Sequence, residues 1–179
     1  MATFAITGMG RSGTAFLAGV LNGADGWTVE HEPVSGFRSV REAQARFARA
    51  GGNYGEVNSY LRFGILALKV DARAVIVRDP VEIFRSMFAR GRPRLAHLGE
   101  ALHALDAAIR AGVPAISFAR MTSNAEYLRR VARSVGVELV GAVDMTARNV
   151  SAARELPKDM REAAERQTAW FVREHGGRL

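Results

Sequence analysis

The stretch Thr3-Phe4-Ala5-Ile6-Thr7-Gly8-Met9-Gly10-Arg11-Ser12-Gly13-Thr14-Ala15-Phe16-Leu17 decides the fold. Thr3–Thr7 is a short apolar run of the kind that forms a buried strand. Gly8–Gly13 is a glycine-rich turn. Phe16, Leu17, Val20 and Leu21 then recur at helical spacing, and Asn22-Gly23 supplies a stop. Strand, glycine turn and helix in that order place backbone N–H groups at a helix N-terminus. There the helix dipole favours an anion. Gly10, Arg11, Ser12, Gly13 and Thr14 are therefore the first candidate binding residues. Arg11 offers a fork for an anion, and Ser12 and Thr14 offer hydroxyls.

Gly8 and Gly13 have the spacing of the glycines in a Walker A loop. The next positions hold Thr14 and Ala15, where that loop needs Lys and a hydroxyl for magnesium. This counts against an ATPase or a kinase. The string is not G-x-G-x-x-G either.

Further along, strands and helices alternate. Trp27–Glu30 reads as a strand leading into His31-Glu32-Pro33, and Arg38–Ala50 as a helix stopped by Gly51-Gly52. Tyr54–Arg62 is ambiguous. Ala74–Val77 is a buried strand ending in Arg78-Asp79-Pro80, where Asp79 caps a helix and Pro80 takes its first position. Leu95–Ala111 reads as a helix and Pro114–Phe118 as a strand. Ser123–Glu126 is a capping box with Ser123 as cap. Val137–Val140 reads as a short strand. Leu156–Glu174 reads as a closing helix anchored by Trp170 and Phe171. The expected class is α/β with a mainly parallel sheet, in one domain spanning residues 1–179.

Arg78 stands at a strand's carboxyl end, where open α/β sheets bind ligands. Ser86 follows eight residues later on the helix, in line with Glu82 and Arg90. A strand-end Arg and a helical Ser suit one phosphate.

The chain has 179 residues, enough to bury a core without staples, and no Cys, so thiolate chemistry and disulfides are excluded. The net charge is +7, and 23 of the 25 basic residues are Arg. An Arg-rich genome accounts for that bias as readily as an anionic partner does. The basic residues are interleaved with Asp and Glu, so no nucleic-acid arm is expected. No run reaches the length of a membrane span, and Met1–Thr7 lacks the basic start of a secretory signal. The expectation is a cytoplasmic protein.

Together, Arg11-Ser12-Gly13-Thr14 and Arg78…Ser86, within the string VIVRDPVEIFRS, resemble the two donor-binding motifs of the P-loop sulfotransferase superfamily. The family uses 3′-phosphoadenosine 5′-phosphosulfate (PAPS). The short HEP string after the second strand resembles one common in bacterial members, and the likeness runs in order over about Phe4–Met87. Beyond it, Phe118-Ala119-Arg120-Met121 stands where members have a Y-E-D-L-like string. Asn149-Val150-Ser151 resembles a stretch before the last helix. Ala15 replaces a frequent second hydroxyl, and Arg148 is the one candidate for a later phosphate-binding string.

The resemblance implies a P-loop NTPase-like three-layer sandwich. In it Arg11, Thr14 and the Ser12–Thr14 amides would hold the 5′-phosphosulfate, and Arg78 and Ser86 the 3′-phosphate. It implies PAPS as co-substrate, no required metal, and a small-molecule, glycan or peptide acceptor. The base would be Glu32 first and His31 second. Against these stand an ordinary ion pair between Glu32 and an Arg, and a loop-packing His31. The competing expectations are a degenerate nucleotide-binding protein and a small NTP-dependent kinase. Lys69 is expected to be solvated. His97 and His103 fall on opposite faces of one helix. Glu56 and Asn58 receive no role.

Overall fold

A computed structural model describes the chain apart from Ser35, Phe37, Arg92 and residues 146–154. Its centre is a five-stranded, wholly parallel sheet in the order β2-β3-β1-β4-β5. The strands are β1 (Thr3–Gly8), β2 (Trp27–His31), β3 (Asn53–Val57), β4 (Ala72–Val77) and β5 (Ala115–Ser117). The helices are α1 (Thr14–Leu21), α2 (Val40–Arg49), α3 (Pro80–Phe88), α4 (Leu95–Arg110), α5 (Phe118–Ser123), α6 (Ala125–Ser134) and α7 (Lys158–His175). Short 3₁₀ turns cover Ser59–Phe63, Ile65–Ala67 and Gly176–Arg178. The expected α/β class and parallel sheet are observed.

The period of two in the strands divides the core. Phe4 and Ile6 of β1, with Ala74 and Ile76 of β4, face Leu17 and Leu21 of α1, Met121 of α5 and Leu128 of α6. Ala5, Val75 and Val77 face the other way, toward Phe47 of α2, Phe84 of α3, Leu98 of α4 and Phe171 of α7. Helices therefore cover both faces, giving three layers. Phe171 is fully buried, as expected of an anchor, while Trp170 is partly buried and stacks on His103 with ring centroids 4.5 Å apart.

Several boundaries differ from the sequence reading for identifiable reasons. Val137–Val140 is not a strand. After α6, Gly136 adopts φ 82°. The N–H of Val137 returns to the Ala132 carbonyl, and that of Gly136 to Arg133. This is a Schellman ending, whose apolar residue folds back onto the helix. The burial of Val137 is that contact, and Val140 is left exposed. Ser123 does not cap α6. Helix α5, absent from the sequence reading, ends at Ser123, whose hydroxyl donates to the Ala119 carbonyl. The cap is Asn124, which accepts from the Tyr127 N–H at 2.9 Å. The expected strand Pro114–Phe118 shrinks to Ala115–Ser117, because Ser117 caps α5. Tyr54–Arg62 resolves into β3 followed by the 3₁₀ turn Ser59–Phe63.

Because all strands run the same way, their carboxyl ends meet at one edge of the sheet. From β1 the chain moves toward β3 and β2, and from β4 it moves toward β5. The crevice between the ends of β1 and β4 is thus the topological switch point, where open α/β sheets accept ligands.

Candidate active site

The loop after β1 is tight. A Cβ at Gly8 would lie 2.3 Å from the Ser12 Oγ, so a side chain at Gly8 would prevent the turn. The Ser12 N–H donates to the Met9 carbonyl at 3.0 Å and closes it. Arg11 (φ 75°) and Gly13 (φ 94°) are left-handed. A Cβ at Gly13 would stand 2.7 Å from the Phe118 ring, so this position admits glycine on two grounds. Thr14 then opens α1, which no side chain caps. The N–H groups of Gly13, Thr14 and Ala15 belong to the first turn, where no helical carbonyl receives them. They and the dipole form an anion cradle.

Ser12 differs from expectation. It is fully buried, its N–H is used inside the turn, and its hydroxyl points beneath the loop against Gly8. That hydroxyl has no hydrogen-bond partner among the described residues. Ser12 shapes the turn, and the outward-facing amides begin at Gly13. Gly10 lies at the loop tip, where a Cβ would meet nothing within 4 Å.

The two motifs converge. The Arg11 Nε donates to the Ser86 Oγ at 3.0 Å. The Arg78 guanidinium donates to the Arg11 carbonyl at 2.6 Å and stacks on Phe118, 4.3 Å from the ring centre. Asp79 caps α3 by accepting from the N–H groups of Val81 (2.8 Å) and Glu82 (3.2 Å), which fixes the direction in which Arg78 leaves β4. Burial, then Arg90 and Arg78, lower the Arg11 pKa, with Glu32 opposing. Burial also lowers that of Arg78, with Glu82 opposing. Three guanidiniums around one crevice concentrate positive potential there.

On the other side stand His31 and Glu32. The His31 Nε2 lies 3.1 Å from the Thr14 Oγ1, so the end of β2 touches the cradle. Glu32 adopts a left-handed φ of 47°. Its Oε1 accepts from the Ser59 hydroxyl at 2.5 Å and lies 3.8 Å from the His31 Nε2. Among the described residues no Arg forms a close ion pair with Glu32, although its charge is felt at Arg11 and Arg62.

Sequence reasoning missed Ser59, Arg62 and Phe118, and a buried ion pair. Glu56, with no exposed side-chain surface, receives both Nε (2.6 Å) and NH2 (2.9 Å) of Arg46. The Tyr54 hydroxyl donates to Glu30 (2.6 Å) and its oxygen lies 3.2 Å from Glu56, while the Asn58 amide donates to Glu56 (3.2 Å). Burial first, and then Glu30, push the Tyr54 hydroxyl far above the ordinary phenol range. The signal was available. Tyr54, Glu56 and Asn58 alternate along one strand face, and a carboxylate on a buried face needs a cation. Lys69 is exposed, as expected, and only its backbone engages Gln44. His97 and His103 do separate things: one meets Arg62, the other Trp170. Arg148 and Asn149-Val150-Ser151 lie outside the described residues. Among the described residues no three His, Asp or Glu side chains stand close enough to hold a metal. No helix there is long and apolar enough to cross a membrane.

No family model matches the chain, and no curated protein sequence does. Solved structures do match. The crystal structure of a sulfotransferase from Alicyclobacillus acidocaldarius aligns with a TM-score of 0.64 and 16% identity. The alignment covers 98% of this chain and 93% of that one. The two share a fold over nearly their whole lengths.

Proposed function

We propose that this chain, as one domain, is a sulfotransferase that moves the sulfuryl group of PAPS to a hydroxyl or amine acceptor. One observation carries the reading: Arg11, Ser86 and Arg78 are joined by hydrogen bonds at the switch point, beside the amides that open α1. Two anion-binding elements in contact suit a donor with phosphate groups on both its 5′ and 3′ oxygens. The fold shared with a sulfotransferase supports the class of reaction.

In this mechanism the α1 amides and Arg11 hold the 5′-phosphosulfate. Arg78 and Ser86 hold the 3′-phosphate and so disfavour donors that lack it. The acceptor oxygen or nitrogen attacks sulfur, and its proton passes to Glu32. The bond from sulfur to the bridging oxygen breaks, and its electron pair stays on the 5′-phosphate. The amides and Arg11 are already in place to stabilise that charge, which is the main source of rate in such transfers. His31, against Thr14 and near Glu32, keeps the two sides of the crevice in register and is the second choice of base. A groove of about 390 Å³ beside α1, lined by Phe16, Val20, Leu139 and Val143, is of a size and character to take the nucleoside.

Calorimetric titration tests this reading. Adenosine 3′,5′-bisphosphate (PAP), the donor's product, should bind in the micromolar range and far more tightly than ADP or ATP. Arg11→Ala and Arg78→Ala should each weaken that binding by at least roughly 10-fold. Equal binding of ATP would overturn the proposal and favour an NTP-using enzyme.

A further inference from the structure

We propose that Ser59, braced by Asn58 and Arg62, is the positioning residue that holds the Glu32 carboxylate beside the anion cradle. The chemical role of that carboxylate rests on the sulfotransferase reading, whereas its placement by Ser59 does not.

Glu32 lies just past β2 in a left-handed backbone conformation that residues other than glycine seldom adopt. Such a conformation persists where the surroundings over-determine it, and these sites cluster at functional positions. The over-determining contact is the Ser59 hydroxyl at 2.5 Å, a short bond to a charged acceptor. This bond joins two segments that adjacent strands deliver to one edge, since His31 of β2 pairs with Val57 of β3.

Ser59 is itself almost fully buried and is fixed from both sides. On one side is Asn58. Its N–H donates to the Ile6 carbonyl at 2.9 Å, and its carbonyl accepts from the Thr7 hydroxyl at 2.9 Å. Its Oδ1 caps the 3₁₀ turn through the Tyr60 N–H at 3.0 Å. Asn58 therefore ties Ser59 to β1, the strand that carries the cradle. On the other side, Arg62 donates to the Ser59 carbonyl, stacks on Phe63, and reaches the His97 Nε2 at 3.0 Å. A guanidinium only donates, so this imidazole nitrogen accepts and the ring carries its proton on Nδ1. Arg62 is 4% exposed, and its Nε has no hydrogen-bond partner among the described residues. A buried cation without a carboxylate beside it is costly. Tyr60, Glu32 and Glu100 are the acidic groups whose fields reach it. Arg62 thus ties Ser59 to α4 and adds positive potential behind Glu32.

Among the described residues, the polar contacts of Glu32 to Ser59 and to His31 use Oε1. This orientation leaves Oε2 to receive the acceptor's proton.

The test needs no known acceptor. Crystal structures of the wild type and of Ser59→Ala would show the carboxylate directly. The proposal predicts that it moves by more than about 0.5 Å, or loses order, in Ser59→Ala. It predicts that Ser59→Thr restores it, while PAP affinity stays unchanged in both variants. With PAPS and water as acceptor, sulfate release should fall roughly 10- to 100-fold in kcat with KM for PAPS unchanged. Ser59→Thr should recover most of that loss. A Glu32 carboxylate that stays in place in Ser59→Ala would overturn the proposal. A wild type that fails to bind PAP would instead overturn the donor assignment, and the crystal structures would still judge Ser59.

Discussion

Replacing Arg78 with Ala separates two roles that its position combines. Its guanidinium holds the Arg11 carbonyl at 2.6 Å and stacks on Phe118, so its loss loosens the cradle for every ligand. In the proposed complex it also meets the 3′-phosphate, and this second loss falls only on ligands that carry one. AMP is PAP without that phosphate, so the pair isolates the contact. A hydrogen bond to a charged group contributes about 1.5–3 kcal/mol. The ratio of AMP to PAP dissociation constants should therefore collapse by roughly 10- to 100-fold in Arg78→Ala. Calorimetry on the four combinations of protein and ligand gives the coupling directly. AMP alone should weaken modestly, through the loop. If both ligands weaken by the same factor, Arg78 only holds the loop and the assignment of the 3′-phosphate is wrong.

Other consequences are equally specific. Gly10→Ala should leave stability to denaturant within about 0.5 kcal/mol of wild type, because its Cβ meets open space. Gly13→Ala should cost at least about 2 kcal/mol, from its φ of 94° and the Phe118 ring. Arg46→Met should cost about 3–5 kcal/mol in urea unfolding, since it strands the Glu56 carboxylate. Arg110→Met, which removes an exposed guanidinium from Asp106 and Glu174, should leave the urea midpoint close to that of wild type. Burial, and then Arg62, hold the His97 imidazole below its ordinary range, with Arg94 adding and Glu100 opposing. Below about pH 6.5 the unfolded chain therefore binds more protons than the folded one. This contribution to stability is present above that pH and is lost as pH falls through the folded-state value. Urea titrations at about pH 7.5 and 5.5 should show a larger drop for wild type than for His97→Gln. Equal drops would mean that burial and Arg62 together do not depress the imidazole.

The cradle was legible because its determinants are local. The glycines, Arg11 and Thr14 sit in one turn between a strand run and a helix run, and Asp79-Pro80 marks the strand end that carries Arg78. The contact between them follows from parallel strands adjacent in the sheet. Ser59 and Arg62 were not legible, because a 3₁₀ turn has no repeating pattern and their partners, Glu32 and His97, lie 27 and 35 residues away. Phe118 was hidden for the same reason: its task is to fill the space beside Gly13, which only the register of β4 and β5 creates. Val137–Val140 misled because a Schellman ending and a strand both call for a buried apolar residue after a turn. Ser123 misled because Ser and Asn are equally good caps, and α5 takes the first of them.

The central claim is that a nucleotide with phosphates on both its 5′ and 3′ oxygens lies across the switch point. A crystal structure of the chain with PAP tests it most directly. The account predicts the 5′-phosphate on the amides of Gly13 and Thr14 beside Arg11, and the 3′-phosphate within hydrogen-bond distance of Arg78 and Ser86. PAP bound elsewhere, or bound with its 3′-phosphate directed away from Arg78, would contradict it.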